Sequence, residues 1–167
     1  MAENLIQFTQ KLIQQKSITG DKDHGALDLL SDKLTNLGFS CQRISFSDDN
    51  SYEVDNLHAI FNPNNSSKTF YFAGHTDVVS TGDLTKWQFD PFSSEILDNK
   101  IYGRGMVDMK GAIAAFIIAA EEFLEKNDPV FGIGFLITGD EEGDAINGTK
   151  KMLQWMEKNN YKMSHCL

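Results

Sequence analysis

His75 and Asp77 stand two residues apart at the end of an aromatic and small apolar run, Phe70-Tyr71-Phe72-Ala73-Gly74. In an extended chain that spacing turns both side chains to one face. An imidazole whose second nitrogen is held by a carboxylate is the usual arrangement around a metal-ligating histidine, although a hydrogen-bonded histidine at a strand end looks the same on these two residues alone. Asp108 follows 33 residues later, just ahead of an apolar segment. A similar distance further on, Gly139-Asp140-Glu141-Glu142-Gly143-Asp144 places four carboxylates directly after a second apolar run. Asp108 alone reads equally as a helix N-cap, and the acidic run alone as a solvated turn. Together they carry more, because clustered carboxylates near a core are costly unless a cation or protons compensate them.

The chemistry available to such a set is specific. Imidazole with carboxylates suits zinc, and a carboxylate with two oxygens can bridge two ions. Two ions roughly 3.5–4 Å apart polarise a carbonyl and lower the pKa of water between them. An unligated glutamate beside that water serves as general base. The site therefore asks for two kinds of glutamate, and the adjacent Glu141 and Glu142 can supply both.

Elements must bring these residues together. Residues 69–74 and 130–138 read as buried strands, apolar throughout and ending abruptly in polar groups. In open α/β sheets ligands sit beyond the carboxyl ends of the strands. Residues 4–15 and 24–37 carry apolar side chains at helical spacing, with Gly38 placed as a stop. Residues 39–46 and 56–61 are two further strands, and 161–167 the start of another. A helix over 110–125 is apolar nearly all round, which predicts burial, and a last helix covers 149–159. Residues 80–99 form a long loop, with Trp87 and Phe92 expected to anchor it by burial; loops of that length in compact domains are often functional. His58, inside a strand, is expected to have no metal role.

Composition narrows the function classes. The 167 residues are 41% hydrophobic and 23% charged, as suits a globular domain, and the net charge is −9. With Lys and Arg scattered, no basic patch is seen to neutralise phosphates, which disfavours nucleic acid, so no nucleic-acid partner is expected. The most apolar stretch, 111–120, is too short to span a bilayer, so no membrane partner is expected. Cys41 and Cys166 form no metal-type pair, and residues 1–4 carry no sign of a signal peptide, so a reducing cytoplasm is the expected location.

Gly74-His75-Thr76-Asp77-Val78-Val79, Trp87 with Asp90-Pro91-Phe92, and Tyr102-Gly103-Arg104-Gly105 through Asp108-Met109-Lys110-Gly111 resemble the dizinc aminoacylase and carboxypeptidase family. The likeness runs over essentially the whole chain. The string from Gly139 through Asp144-Ala145-Ile146-Asn147-Gly148-Thr149 resembles the branch that removes succinate from N-succinyl-LL-2,6-diaminopimelate, a small-molecule substrate of bacterial lysine and diaminopimelate synthesis. The resemblance implies a three-layer α/β/α zinc-peptidase-like catalytic domain. It implies His75 as terminal ligand of one zinc, Asp108 as the bridging ligand and Glu142 as ligand of the other zinc. Glu141 is then the general base and acid, Asp77 the carboxylate that orients His75, and the Asp108–Met109 peptide cis. Two zinc ions per full-length subunit are implied, with cobalt as a possible substitute, and a homodimer.

Full-length relatives continue with a Gly-Glu-Pro segment, an inserted dimerisation domain and a final ligand histidine, none of which matches anything up to Leu167; His165 matches no ligand position. The expectation is therefore an amino-terminal portion of the catalytic domain over 1–167, inactive alone. Two alternatives stay open. Sister deacylases, such as acetylornithine deacetylase or dipeptidases, share the metal motifs and differ at the 140–149 string. A non-catalytic piece that binds a partner is the reading from another class.

Overall fold

The computed structural model describes residues 4–21, 25–48 and 50–167. Helical periodicity near the amino terminus is realised as two helices laid on a sheet. Leu5–Gln14 (α1) begins at Asn4, whose side chain accepts from the Gln7 N–H at 2.9 Å and satisfies one free amide of the first turn. Its buried face is Phe8, Thr9, Leu12 and Ile13. Ala26–Asn36 (α2) buries Leu27, Leu30 and Leu34. The predicted start of this helix at His24 lies outside the described residues.

The strands are Ser40–Asp48 (β1), Ser51–Phe61 (β2), Thr69–His75 (β3), Glu95–Leu97 (β4), Lys100–Tyr102 (β5), Gly132–Thr138 (β6) and His165–Cys166 (β7); Gly111–Leu124 (α3) and Thr149–Lys158 (α4) complete the chain. Five strands form one mixed sheet in the order β1-β2-β6-β3-β7, and β4 with β5 makes a separate hairpin. β6 is antiparallel to β2 and parallel to β3. Every residue of β6 is buried, as expected of a central strand covered on both faces. The register sets His75 opposite Thr138. The two apolar runs are thus neighbours that stop at the same rim, and whatever follows each must meet there.

Helices α1, α2 and α3 cover one face, where Phe8, Leu12, Leu30, Ile113 and Ile117 pack with Phe72, Phe135 and Ile137. Helix α4 covers the other, with Met152 and Met156 against Tyr71 and Leu136. Each large side chain buried this way contributes about 1.5–3 kcal/mol. The result is the three-layer α/β/α architecture. His58 is buried on the α4 side, its Nε2 2.9 Å from the Tyr71 hydroxyl and its ring near Trp155 and Tyr161.

Four features depart from the sequence reading. β2 begins at Ser51 rather than 56, because Ser51-Tyr52-Glu53-Val54-Asp55 pairs with β1 although its composition is polar. Asn56 faces Thr138, so these five residues overshoot the end of β6. Helix α3 buries Ile113, Ala114, Ile117, Ile118 and Ala120 but leaves Ala112, Ala115 and Ala119 exposed, so one face meets solvent. The 80–99 loop holds a single 3₁₀ turn, Leu84–Lys86, and strand β4, which pairs with β5 just beyond it. Phe92 is buried in that loop, but Trp87 is only half-buried and is held by polar contacts. Its indole N–H donates to Thr81 O at 2.9 Å and the Arg104 guanidinium lies 5.2 Å from its ring centre.

Candidate metal centre

His75 ends β3 with its side chain 5% exposed. Its Nδ1 lies 3.0 Å from the backbone oxygen of Asp77 and 3.4 Å from that residue's carboxylate. Nδ1 is thereby engaged by protein, and Nε2 is the nitrogen turned toward the rim. There it meets Asp108 Oδ1 at 3.1 Å and Glu141 Oε2 at 3.8 Å.

Asp108 reaches this position from a distorted turn, Met106–Lys110, with non-helical dihedrals at Asp108 and Met109 and a cis peptide between them. Gly105 opens the turn at φ +77°, and an added Cβ there would run into the Val78 side chain. Asp108 does not cap α3, which starts at Gly111 with no side-chain cap. Its carboxylate, 73% exposed, faces His75 instead. Met109 packs beside Gly74, where an added Cβ would lie 3.1 Å from the thioether sulfur, and that sulfur is 3.4 Å from the His75 N–H.

Glu141 and Glu142 follow β6. Asp77, 2% exposed, accepts from the Glu141 N–H at 3.1 Å and from the Glu142 N–H at 3.0 Å, and from the Thr19 hydroxyl at 2.9 Å. Residues 17–19 are in turn tied to the chain after β3. The Ser17 hydroxyl donates to Thr76 O at 2.6 Å, and Thr19 N–H donates to Val78 O at 3.0 Å. His75 nitrogen and one carboxylate oxygen each from Asp108 and Glu142 all lie within 4.8 Å of one another. Of the four acidic residues in the run, Asp140 is buried and bonded to Tyr52 at 2.6 Å, and Asp144 accepts from the Ser51 hydroxyl at 3.3 Å. Only Glu141 and Glu142 reach the cluster.

The cluster concentrates negative charge around one imidazole. Burial pushes the His75 imidazole down, but the Asp77 carboxylate and carbonyl, with Asp108, outweigh it and raise it to about 9. Burial pushes Asp77 up, and the bonds from His75, the Glu141 and Glu142 amides and Thr19 more than offset this, so it is held below its ordinary value. Glu142 is raised by burial first and then by the Asp108 charge. The gathered carboxylates around His75 thus carry negative charge that a bound cation would balance. One imidazole nitrogen with two carboxylate oxygens is a donor set that fits zinc. A cleft of about 330 Å³ opens beside the cluster, with Met109, Thr138 and Thr149 in its wall.

Thr19 and Tyr52 carry no signal strong enough to be singled out from sequence. Each acts through a neighbour far along the chain, Thr19 on Asp77 and Tyr52 on Asp140.

The fold is that of a metallopeptidase-like α/β domain, and the chain belongs to peptidase family M20/M25/M40, whose model matches residues 71–167. It is 48% identical over 168 residues to the succinyl-diaminopimelate desuccinylase of Rhodospirillum centenum, covering 100% of this chain and 43% of that protein. The enzyme of that name from Ehrlichia ruminantium is 48% identical over 163 residues, covering 97% of this chain and 42% of that protein. The chain therefore spans less than half the length of these curated relatives. Among solved structures, the M20 family metallo-carboxypeptidase Sso-CP2 from Sulfolobus solfataricus is similar at a TM-score of 0.82 and 23% identity, covering 99% of this chain and 37% of that one. Human carnosine dipeptidase 1 is similar at 0.79 and 22%, covering 97% and 37%. At these identities the two structures speak for the fold.

Proposed function

We propose that this chain is the amino-terminal part of the catalytic domain of a zinc-dependent amide hydrolase. The reaction is removal of succinate from N-succinyl-LL-2,6-diaminopimelate in lysine and diaminopimelate synthesis. The observation that carries this is the convergence of His75, Asp108 and Glu142 within 4.8 Å, on a chain 48% identical to enzymes named for that reaction. His75 and Glu142 would be terminal ligands of two zinc ions, for which cobalt can substitute, and Asp108 the bridge. Bound divalent ions would supply polarisation of the scissile carbonyl and a more acidic water.

The chain's own residues do the rest. Asp77 fixes the His75 ring through Nδ1. Glu141, with its side chain 58% exposed beside the ligand cluster, accepts the proton of the attacking water. The hydroxide adds to the succinyl carbonyl carbon, the carbon–nitrogen bond breaks, and Glu141 returns the proton to the departing amine. Succinate and diaminopimelate are the products. The longer protein is read as a cytoplasmic homodimer whose further segments supply the dimerisation domain and the remaining ligands. Nucleic acid and membrane are not partners in this reading, which the net charge of −9 supports. Among the described residues no helix is long and apolar enough to cross a membrane.

The test is a longer protein containing this chain, loaded with zinc and assayed against N-succinyl-diaminopimelate and N-acetylornithine. Succinate release with a clear preference for the first substrate supports the reading. Preference for the acetylated substrate would move the protein to a sister deacylase.

A further inference from the structure

The loop carrying Glu141 and Glu142 is gripped by two carboxylates, and only one of them belongs to the ligand arrangement. Asp77 holds the loop from the His75 side by its amides. Asp140 holds it from within. Asp140 is 1% exposed, and a buried carboxylate needs donors for its oxygens. The Tyr52 hydroxyl donates to Oδ1 at 2.6 Å, and the Asn147 N–H, from the far end of the same loop, approaches Oδ2 at 3.4 Å.

Tyr52 reaches this place because β2 overshoots β6. The backbone of the overshoot is tied to the loop as well: the Asn147 side chain donates to Tyr52 O at 2.6 Å, and the Asn56 side chain to Asn147 O at 3.1 Å. The space between is closed. A Cβ added to Gly143 would meet the Tyr52 hydroxyl, the Thr19 methyl at 2.5 Å and Asp140 Oδ1 at 2.8 Å. Thr19 is the residue whose own hydroxyl bonds Asp77. A continuous packed path therefore runs from Tyr52 and Asp140 past Gly143 and Thr19 to Asp77, with Glu141 and Glu142 suspended between its ends.

We propose that Tyr52 and Asp140 are positioning residues for the metal centre. Their phenol–carboxylate bond fixes the 139–148 loop so that the Glu141 and Glu142 amides stay on Asp77 and the two side chains stay beside His75 and Asp108. The assignment of roles to Glu141 and Glu142 rests on the function proposed above; the clamp itself rests on bonds within the chain.

The experiment is amide hydrogen exchange by NMR on the metal-free chain, with Phe135 and Ile137 of β6 as internal controls, followed by cobalt titration. Tyr52→Phe keeps the ring and removes the donor. It is expected to speed exchange at Glu141 and Glu142 about tenfold while β6 stays within about twofold, and to weaken cobalt binding about tenfold. Asp140→Ala should do the same. Asp140→Asn keeps an oxygen for Tyr52 and should recover most of the protection. Unchanged exchange at Glu141 and Glu142 in Tyr52→Phe would overturn the proposal. So would an equal loss in β6, failure of that variant to fold, or Asp140→Asn behaving as the alanine variant, since each makes the pair a general support of the fold. Glu142→Ala separates the two readings. If exchange moves as expected but Glu142→Ala leaves cobalt binding intact, the metal assignment falls and the clamp stands.

Discussion

The carboxylate of Asp77 lies 3.0 Å from the amide nitrogen of Glu142. The same carboxylate takes the Glu141 amide at 3.1 Å and faces His75 Nδ1 at 3.4 Å. One buried side chain after β3 thus sets the orientation of the imidazole at the end of β3 and the path of the chain leaving β6. Its reach is possible because His75 and Thr138 share a register position.

Asp77→Ala should therefore loosen more than the histidine. Loss of a partner that orients a ligand commonly lowers metal affinity 10–100-fold. The prediction is a fall in cobalt affinity in this range together with faster amide exchange at Glu141 and Glu142 in the metal-free chain. A weaker metal site with unchanged exchange would limit Asp77 to the imidazole.

The two adjacent glutamates should separate in the longer protein. Glu141→Gln removes a base and no ligand, so turnover should drop about 10²–10⁴-fold with metal content near normal. Glu142→Ala should lower metal content. Metal analysis of both variants beside their kcat values checks this, and equal metal loss in the two would reverse the assignment.

The 167-residue chain by itself should bind zinc weakly and release no succinate above background. Among the described residues, His75, Asp108 and Glu142 would give each of two ions two protein ligands, counting Asp108 twice, where a catalytic zinc usually holds three. Turnover within about tenfold of the longer protein at matched zinc, set against that three-ligand expectation, would show that the missing ligands come from elsewhere, such as a second copy.

His58 predicts a pH dependence of stability. Burial beside Tyr71, Trp155 and Tyr161 lowers its pKa from 6.5 to about 4. The unfolded chain binds the proton more readily, so stability is full above pH 6.5 and falls as pH drops toward 4, by up to about 3 kcal/mol. Urea unfolding at pH 7 and pH 4.5 should show a larger loss for the wild type than for His58→Phe. Equal losses would remove His58 as the source.

Much of this was legible in the sequence where one residue type carries both burial and chemistry. The runs before His75 and Gly139 are apolar enough to be central strands, and they end abruptly enough to mark a rim. Cover helices followed from spacing alone. Residues 51–55 were hidden because a strand that overshoots its neighbour has little to bury and keeps a polar composition. Trp87 is half-buried rather than buried because an indole can be held by a hydrogen bond and a guanidinium at the surface. The exposed face of α3 could not be seen because small apolar residues read the same whether or not anything covers them.

The position of β6 has a consequence for biosynthesis. It is the middle strand of the sheet, yet both of its neighbours are made before it. At about 5–20 residues per second, the roughly 60 residues between β3 and β6 take several seconds to emerge from the ribosome. Through that interval β2 and β3 each present an open edge that only β6 can close. The nascent chain is thus most open to mispairing and to chaperone capture before Thr138 is synthesised, and His75 must wait for the same event to meet Glu142.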